Sequence, residues 1–408
     1  MQKTTSSNFD IITKIQQNIK NHPDKKALIF PEESITFKRL DEQSGYLAHY
    51  LQQKGIQKGD RIVVMIPISP TLFYTIFALI KIGATVVFID HHMSIKNIEN
   101  SCKISDPKAF IGNRKANLLR LLSKSVRKIP IKITFNETNF KIDSEESIQI
   151  SKDKYKSDSL MFIRFTTGST GFPKGVERTY QFMCNLFKAT HDFSKIKEKD
   201  IDMTTYPMNI LYNLVMGTTS VFPSSDKPEQ IVKQMLEQNV TTASGPPQFW
   251  EKIVKYCKSK KITLDKIHFI FTGGDPVSLD LVYGLKQTFP KSKTNVVYGS
   301  TEVFPISWID IDEIIGSKDK ITKKTEAMCL GKPHPNLQIK IVKSSEDKKA
   351  GEIIISGSHV VKTYFGDEDG KSFNQNKIVD KNNKIWHRTG DLGYLEKNEI
   401  WFVGRMKK

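Results

Sequence analysis

Cysteine is scarce in this chain. The four residues Cys102, Cys184, Cys257 and Cys329 stand far apart, with no CxxC pair and no Cys/His cluster. That excludes a disulfide framework and a zinc-finger type of site, and it fits a reducing cytoplasm. Acidic residues are outnumbered: 44 Asp and Glu face 62 Lys and Arg, for a net charge of +18. Such a surplus attracts anions, whether nucleotides, CoA, an acidic carrier protein, anionic lipid or nucleic acid. The lysines are spread along the chain rather than gathered in one basic arm, so a solvated lysine-rich surface is the plainer explanation. No basic motif with interleaved aromatics is present, so nucleic acid is not an expected partner.

An uninterrupted apolar run is missing too. The longest candidate, LFYTIFALIKIGATVVFID (Leu72–Asp90), contains Lys81 and is punctuated by Gly83. It reads as a buried helix, a turn and a strand, not as an integral membrane segment. The N-terminus is polar and lacks a signal-peptide core. What is there is ordinary for a globular protein: 38% hydrophobic and 26% charged residues. At about 150 residues per domain the length suggests two or three units.

The first half alternates helix and strand. A helical face over Ser34–Gly55 precedes the strands DRIVVMIP, TVVFID, PKAFIG and KIPIKITF, with helices between them. This β-α-β-α order predicts a mostly parallel sheet with helices on both faces. Ser144–Asp158 is polar and reads as a linker. A second αβ run follows it, through TSVFP, TTASG, IHFIFTG and NVVYG. Beyond about Ile309 the helical period fades, and LQIKIV, GEIIISG, KIWHRTG and EIWFVG read as short strands. The expected fold is therefore α/β: two doubly wound αβ subdomains (1–150 and 151–310) and a small β-rich subdomain, a distorted barrel, over 311–403.

One loop carries the chemistry. FTTGSTGFPKG (Phe165–Gly175) packs three glycines, four hydroxyls and one lysine into eleven residues. Gly168 and Gly171 permit positive φ and close backbone approach. Thr166, Thr167, Ser169 and Thr170 offer hydroxyl donors, and Lys174 brings a mobile charge. The loop is not a Walker loop, because Pro173 and Gly175 flank its lysine. It reads either as a phosphate cradle or as a polar solvent loop. The flanking expectation is a short strand at IRF and a helix directly after Lys174, over GVERTYQFMCNLFKATHDF.

The loop resembles the signature loop of the AMP-forming acyl- and aryl-CoA synthetases, the adenylate-forming superfamily. TGGDPVS (Thr272–Ser278), YGSTE (Tyr298–Glu302), GEIIISG (Gly351–Gly357), HRTGD (His387–Asp391) and VGR (Val403–Arg405) match the family's further motifs in order. The resemblance covers nearly the whole chain. It implies the large N-terminal domain of such an enzyme, with ATP and Mg²⁺ as cofactors. Thr166, Thr167, Ser169, Thr170 and Lys174, with Gly168 and Gly171, would cradle the β- and γ-phosphates. Thr301 would contact the α-phosphate, and Glu302 would ligate Mg²⁺. Tyr298 would stack on adenine beside Gly299, with the Gly274, Asp275 and Pro276 backbone on the other side. Asp391 would accept the ribose hydroxyls, and Arg405 would add a ribose or phosphate contact. Lys174, Thr301 and Glu302 are the expected catalytic residues. Taken singly, each has a plainer reading: Tyr298 as a core tyrosine, Asp391 as a turn residue, Glu302 as a helix N-terminal charge, Arg405 as a solvated cation. His387, beside Trp386 in a strand, reads as packed rather than catalytic.

The resemblance implies a carboxylic acid substrate and CoA, or an acyl carrier protein, as possible acceptor. Ile210, in YPMNILYNLVMG, and Gly245 and Pro246, in SGPPQFWEKI, would line the acyl site. With no charged residue placed there, a fatty acyl chain is the expected substrate. FIDHHM, YGSTEVFPIS and WHRTGDLGYLEKNEIWFVGR resemble the fatty-acid-CoA-ligase-like branch that includes olefin β-lactone synthetases. In those enzymes the hydroxyl of a 3-hydroxy fatty acid attacks the adenylate. Family members continue past the G-R into a small mobile domain with a further catalytic lysine. Here 404–408 would be the start of the hinge, with Lys407 at the hinge position. This chain alone is expected to bind ATP but to adenylate poorly; a non-catalytic ATP- or acyl-binding module is the competing reading.

Overall fold

The computed structural model describes residues 9–90, 93–135, 146–167, 172–316, 327–343, 350–367 and 375–406, the side chains of Thr167 and Lys343 excepted. Three sheets organise the chain. The first has seven strands, in the order Tyr364–Phe365, Pro173–Thr179, Leu160–Thr167, Thr85–Phe88, Arg61–Met65, Ala109–Gly112 and Ile131–Thr134. Its last five strands are parallel, and the first two pair antiparallel.

The second sheet has nine strands, from Lys332–Pro333 and Ser307–Asp310 at one edge to Lys26–Ile29 and Ser34–Thr36 at the other. Its centre, Lys293–Tyr298, Phe269–Gly273, Thr242–Gly245, Ile201–Thr204 and Thr219–Val221, is parallel. A six-stranded antiparallel sheet, built around Gly351–Gly357, Ile385–Glu396 and Glu399–Arg405, forms the β-rich subdomain.

The boundary expected at residue 150 does not separate the two large sheets. Lys26–Ile29 pairs in parallel with Thr219–Val221 of the second sheet. Leu160–Thr167, Pro173–Thr179 and Tyr364–Phe365 complete the first. The βα rhythm gives the order of elements along the chain but not their lateral neighbours, which tertiary pairing decides. Packing follows the sheets. One apolar core joins Ile62, Val64 and Val86 of the first sheet to Leu28 and Ile35 of the second. Helices Phe37–Gln53, Pro70–Ile82 and Tyr180–Ser194 contribute to the same core.

The apolar run resolves as helix Pro70–Ile82, Gly83 in the left-handed region (φ +83°), and strand Thr85–Phe88. Lys81 is fully buried and donates to Asp41 Oδ1 at 2.6 Å. Among the described residues no helix is long and apolar enough to cross a membrane.

Candidate active site

The signature loop sits in a β-hairpin. Thr166 faces Lys174 and Thr167 faces Pro173 across antiparallel strands. The expected helix after Lys174 is displaced by strand Pro173–Thr179. It begins only at Tyr180, where the Thr179 hydroxyl caps the Phe182 N–H at 3.2 Å. The reason is long-range pairing: Gly175 and Val176 are held between Leu160–Thr167 on one side and Tyr364–Phe365 on the other. Gly168, Ser169, Thr170 and Gly171 lie outside the described residues.

Strand alternation puts Lys174 and Arg178 on one face of the hairpin. Both are buried, at 8% and 5% exposure. Arg178 reaches across to the second sheet: its Nη2 donates to the Thr301 carbonyl at 3.0 Å, while Nε and Nη1 have no hydrogen-bond partner among the described residues. Burial pulls the guanidinium down to about 9; the like charge of Arg164 adds to this, and Glu302 opposes it.

Thr301 and Glu302 lie in the tight reversal between Lys293–Tyr298 and Ser307–Asp310. The Ser300 N–H donates to Val303 O, and Ile306 N–H to Tyr298 O. Gly299 is required there, because a Cβ would lie 2.8 Å from the Phe304 ring and 3.1 Å from Val303 O. The Glu302 carboxylate accepts from Ser300 Oγ at 3.2 Å and from the Tyr364 hydroxyl at 3.3 Å. Its backbone carbonyl accepts from the Val361 N–H at 2.9 Å.

The β-rich subdomain closes this turn from the other side. Lys377, 3% exposed, donates from Nζ to Val361 O and lies 5.3 Å from the Tyr364 ring centroid. Burial lowers its ammonium to about 8, with Glu302 opposing. Lys377 thus touches two of the three residues that hold Glu302. Glu302 stands where all three sheets meet.

His387 pairs with Lys377 across adjacent strands and is buried. Burial, then the Lys377 charge, hold its imidazole down to about 4, with Glu302 opposing. His359, against Pro305 O at 3.1 Å, is likewise lowered to about 4 by burial. Both are neutral in the fold, whereas an unfolded imidazole gains its proton near 6.5. Stability is therefore unaffected by these two groups above that value and is lost as pH falls from about 6.5 to 4. Each contributes up to about 1.4 kcal/mol per pH unit over that window. Urea titrations across it will show the loss, and His359→Gln will flatten the profile.

Tyr298, Asp391 and Arg405 form a second cluster. The Tyr298 hydroxyl donates to Asp391 Oδ2 at 2.5 Å, and Arg405 Nε to Asp391 Oδ1 at 2.9 Å. Burial and the adjacent Asp391 charge push the phenol well up. Both carboxylate oxygens are thus engaged by protein, where the expectation was a carboxylate kept for ribose hydroxyls. Arg405 keeps a largely exposed side chain. Glu352 supports the turn, accepting from Arg388 Nη2 at 2.6 Å and from the Gly390 N–H at 3.3 Å.

Gly274, Asp275 and Pro276 follow strand Phe269–Gly273, the immediate neighbour of Lys293–Tyr298. Gly274 is left-handed, at φ +92°. Gly245 and Pro246 end the next strand and start helix Pro247–Lys260. These positions therefore share one end of the second sheet. Ile210 does not join them: it is fully buried in the core common to both large sheets. The residues of that segment that reach the strand ends are Tyr206, whose hydroxyl donates to Gly273 O at 3.0 Å, and Asn209, on Ser244 Oγ at 3.1 Å. An open depression lined by Lys197, Lys199, Asp200, Thr241 and His268 lies at the opposite ends of these strands, away from the site.

Arg178, Tyr364, Lys377 and Glu352 were not singled out by sequence. Arg178 stood in a stretch read as helix, which hid its shared face with Lys174. A Ser/Thr/Gly-rich hairpin, an aromatic-G-x-T-E turn and a carboxylate–arginine pair, set on two α/β sheets and a β subdomain, define an adenylate-forming enzyme. The chain belongs to the AMP-binding enzyme family, whose model matches residues 15–365.

Its relatives include the olefin beta-lactone synthetase of Xanthomonas campestris pv. campestris, 25% identical over 91% of this chain and 72% of that protein. The D-alanine–D-alanyl carrier protein ligase of Bacillus licheniformis is 24% identical over 97% and 78%. In fold the chain is similar to O-succinylbenzoate CoA synthetase from Bacillus subtilis in complex with AMP. That match has a TM-score of 0.80 at 21% identity, over 96% of this chain and 78% of that one. It is also similar to a long-chain-fatty-acid-CoA ligase from Archaeoglobus fulgidus, with a TM-score of 0.80 at 20% identity, over 98% and 84%.

Proposed function

We propose that this protein activates a fatty acid with ATP, joining its carboxylate to the α-phosphate and expelling pyrophosphate. The observation that carries the reading is that the hairpin strand carrying Lys174 reaches the Thr301–Glu302 turn through the Arg178–Thr301 bond, with Lys174 and Glu302 both acting on His387. In the reaction a carboxylate oxygen attacks the α-phosphorus as the bond to the β-phosphate oxygen breaks. Negative charge grows on the leaving pyrophosphate, so a fixed cation there stabilises the transition state more than the ground state. Lys174 is that cation.

Glu302 suits Mg²⁺: it is a hard carboxylate beside the phosphate hairpin, oriented by two hydroxyls, and one carboxylate plus nucleotide oxygens is a usual magnesium environment. When bound, the ion neutralises phosphate charge. The Tyr298–Asp391–Arg405 cluster is assigned to the nucleoside end, with Asp391 exchanging a protein partner for ribose. Gly274, Asp275 and Pro276 would flank the adenine.

The fatty acyl assignment rests on likeness to olefin beta-lactone synthetases and a long-chain-fatty-acid-CoA ligase. CoA, a carrier protein or the substrate's own 3-hydroxyl would be the acceptor. The four cysteines are buried and stand far apart in the sequence, which suits a reducing compartment such as the cytoplasm. ATP–pyrophosphate exchange over fatty acids, 3-hydroxy fatty acids, D-alanine and o-succinylbenzoate tests the assignment. Exchange with either fatty series supports it. Exchange only with D-alanine or the aryl acid overturns the acyl assignment, and ATP binding without exchange on any acid favours a non-catalytic module.

A further inference from the structure

The segment Arg114–Lys128 leaves the first sheet after strand Ala109–Gly112 and folds into three short helices, Arg114–Asn117, Leu119–Leu122 and Lys124–Lys128. It carries Arg114, Lys115, Arg120, Lys124, Arg127 and Lys128 and no acidic residue. All six cations are exposed, and none forms a salt bridge with a described residue. Among them stand Leu118, Leu121 and Leu122, at 58%, 71% and 63% exposure. Even spreading of charge along the chain, as the sequence reads, therefore does not hold at this surface.

The leucines are held outward by a built scaffold. Asn113 caps the Ala116 N–H at 2.8 Å, and Ser123 caps that of Val126 at 3.3 Å. Arg127 ties the helices together, donating from Nε to Arg120 O at 3.2 Å and from Nη2 to Leu121 O at 3.4 Å. Ala116, Val126 and Ile129 anchor the segment in the core beneath. Three leucines thus stand exposed within five residues, among cations that form no salt bridge with a described residue.

We propose that this surface docks the protein peripherally on an anionic lipid bilayer, with the leucines entering the boundary between headgroups and acyl chains and the cations lying over the anionic headgroups. Charge complementarity and the exposed leucines point to the same occupant. A nucleic acid would satisfy only the cations, and a bilayer supplies both anions and apolar depth without a matching pocket. The inference does not depend on which acid the enzyme activates.

Vesicle flotation of the full chain tests it, comparing phosphatidylcholine vesicles with the same vesicles carrying phosphatidylserine, at low and raised salt. Partitioning is expected to be at least about tenfold stronger on anionic vesicles and to weaken with salt. The double substitution Leu121→Glu and Leu122→Glu should reduce it about tenfold, as should Arg120→Gln with Lys124→Gln. Melting temperature and pyrophosphate exchange in solution should stay unchanged, since these side chains are solvent-exposed and none belongs to the residues assigned to the site. No vesicle binding, equal binding to both vesicle types, or variants that bind like the parent would overturn the proposal. So would binding to an acidic protein in the absence of any vesicle binding.

Discussion

Lys174→Ala will lower kcat/KM for ATP–pyrophosphate exchange by about 100- to 1000-fold, the usual loss when one preorganised transition-state donor is removed. The size follows from where the lysine sits. It is on a strand of the phosphate hairpin, opposite Thr166, and is buried enough that its charge reaches His387 on the β-rich subdomain. In so desolvated a setting a cation acts on phosphate far more strongly than at a solvated surface. Lys174→Arg should recover only part of the loss, because a planar fork does not replace a compact ammonium. Steady-state exchange kinetics will read this directly. Equal kcat/KM for the Ala variant and the parent would remove Lys174 from the reaction.

Lys377→Met will lower kcat by about 100-fold while leaving the folded state as stable as before, or more so. Lys377 acts through its neighbours: it holds Val361 and Tyr364, which hold Glu302. A displacement of about 1 Å at a reacting group costs on that order in rate. Methionine fills the same volume without carrying a buried charge, and relief of the ammonium's desolvation cost offsets the hydrogen bond lost to Val361 O. The two effects should therefore separate, with kcat lost, thermal stability kept and KM for ATP moved much less than kcat. If Lys377→Met lowers stability and leaves kcat intact, the residue is structural only. Lys377→Arg should rescue part of kcat.

Much of the site was legible in the chain because its motifs are local. FTTGSTGFPKG, YGSTE and HRTGD each hold within a few residues the glycines, hydroxyls and charges their backbone geometry requires. Gly299 shows this well: the side chain it lacks would collide with Phe304 five residues on. The core was less legible. Ile210 has the apolar character of an acyl-site wall, yet it is buried in the core between the sheets. Periodicity reports that a helix has an apolar face, not what that face meets.

The sequence by itself determined the family, most of the alternation of strands and helices, and the local make-up of the Ser/Thr/Gly hairpin strands and of the Thr301–Glu302 turn. Tertiary structure alone decided their company. Arg178 and Lys377 lie 199 positions apart (377 − 178), yet one bonds Thr301 and the other touches the Val361 and Tyr364 that hold Glu302, because elements of three sheets come together there. Asp391 is gripped by Tyr298 from the second sheet and by Arg405 from the adjacent strand. Three leucines in a basic segment stay outside the core because Ala116, Val126 and Ile129 on either side of them fill it. Motif chemistry is contiguous and survives in one dimension. Lateral strand order and burial depend on contacts between distant segments, and no local pattern encodes them.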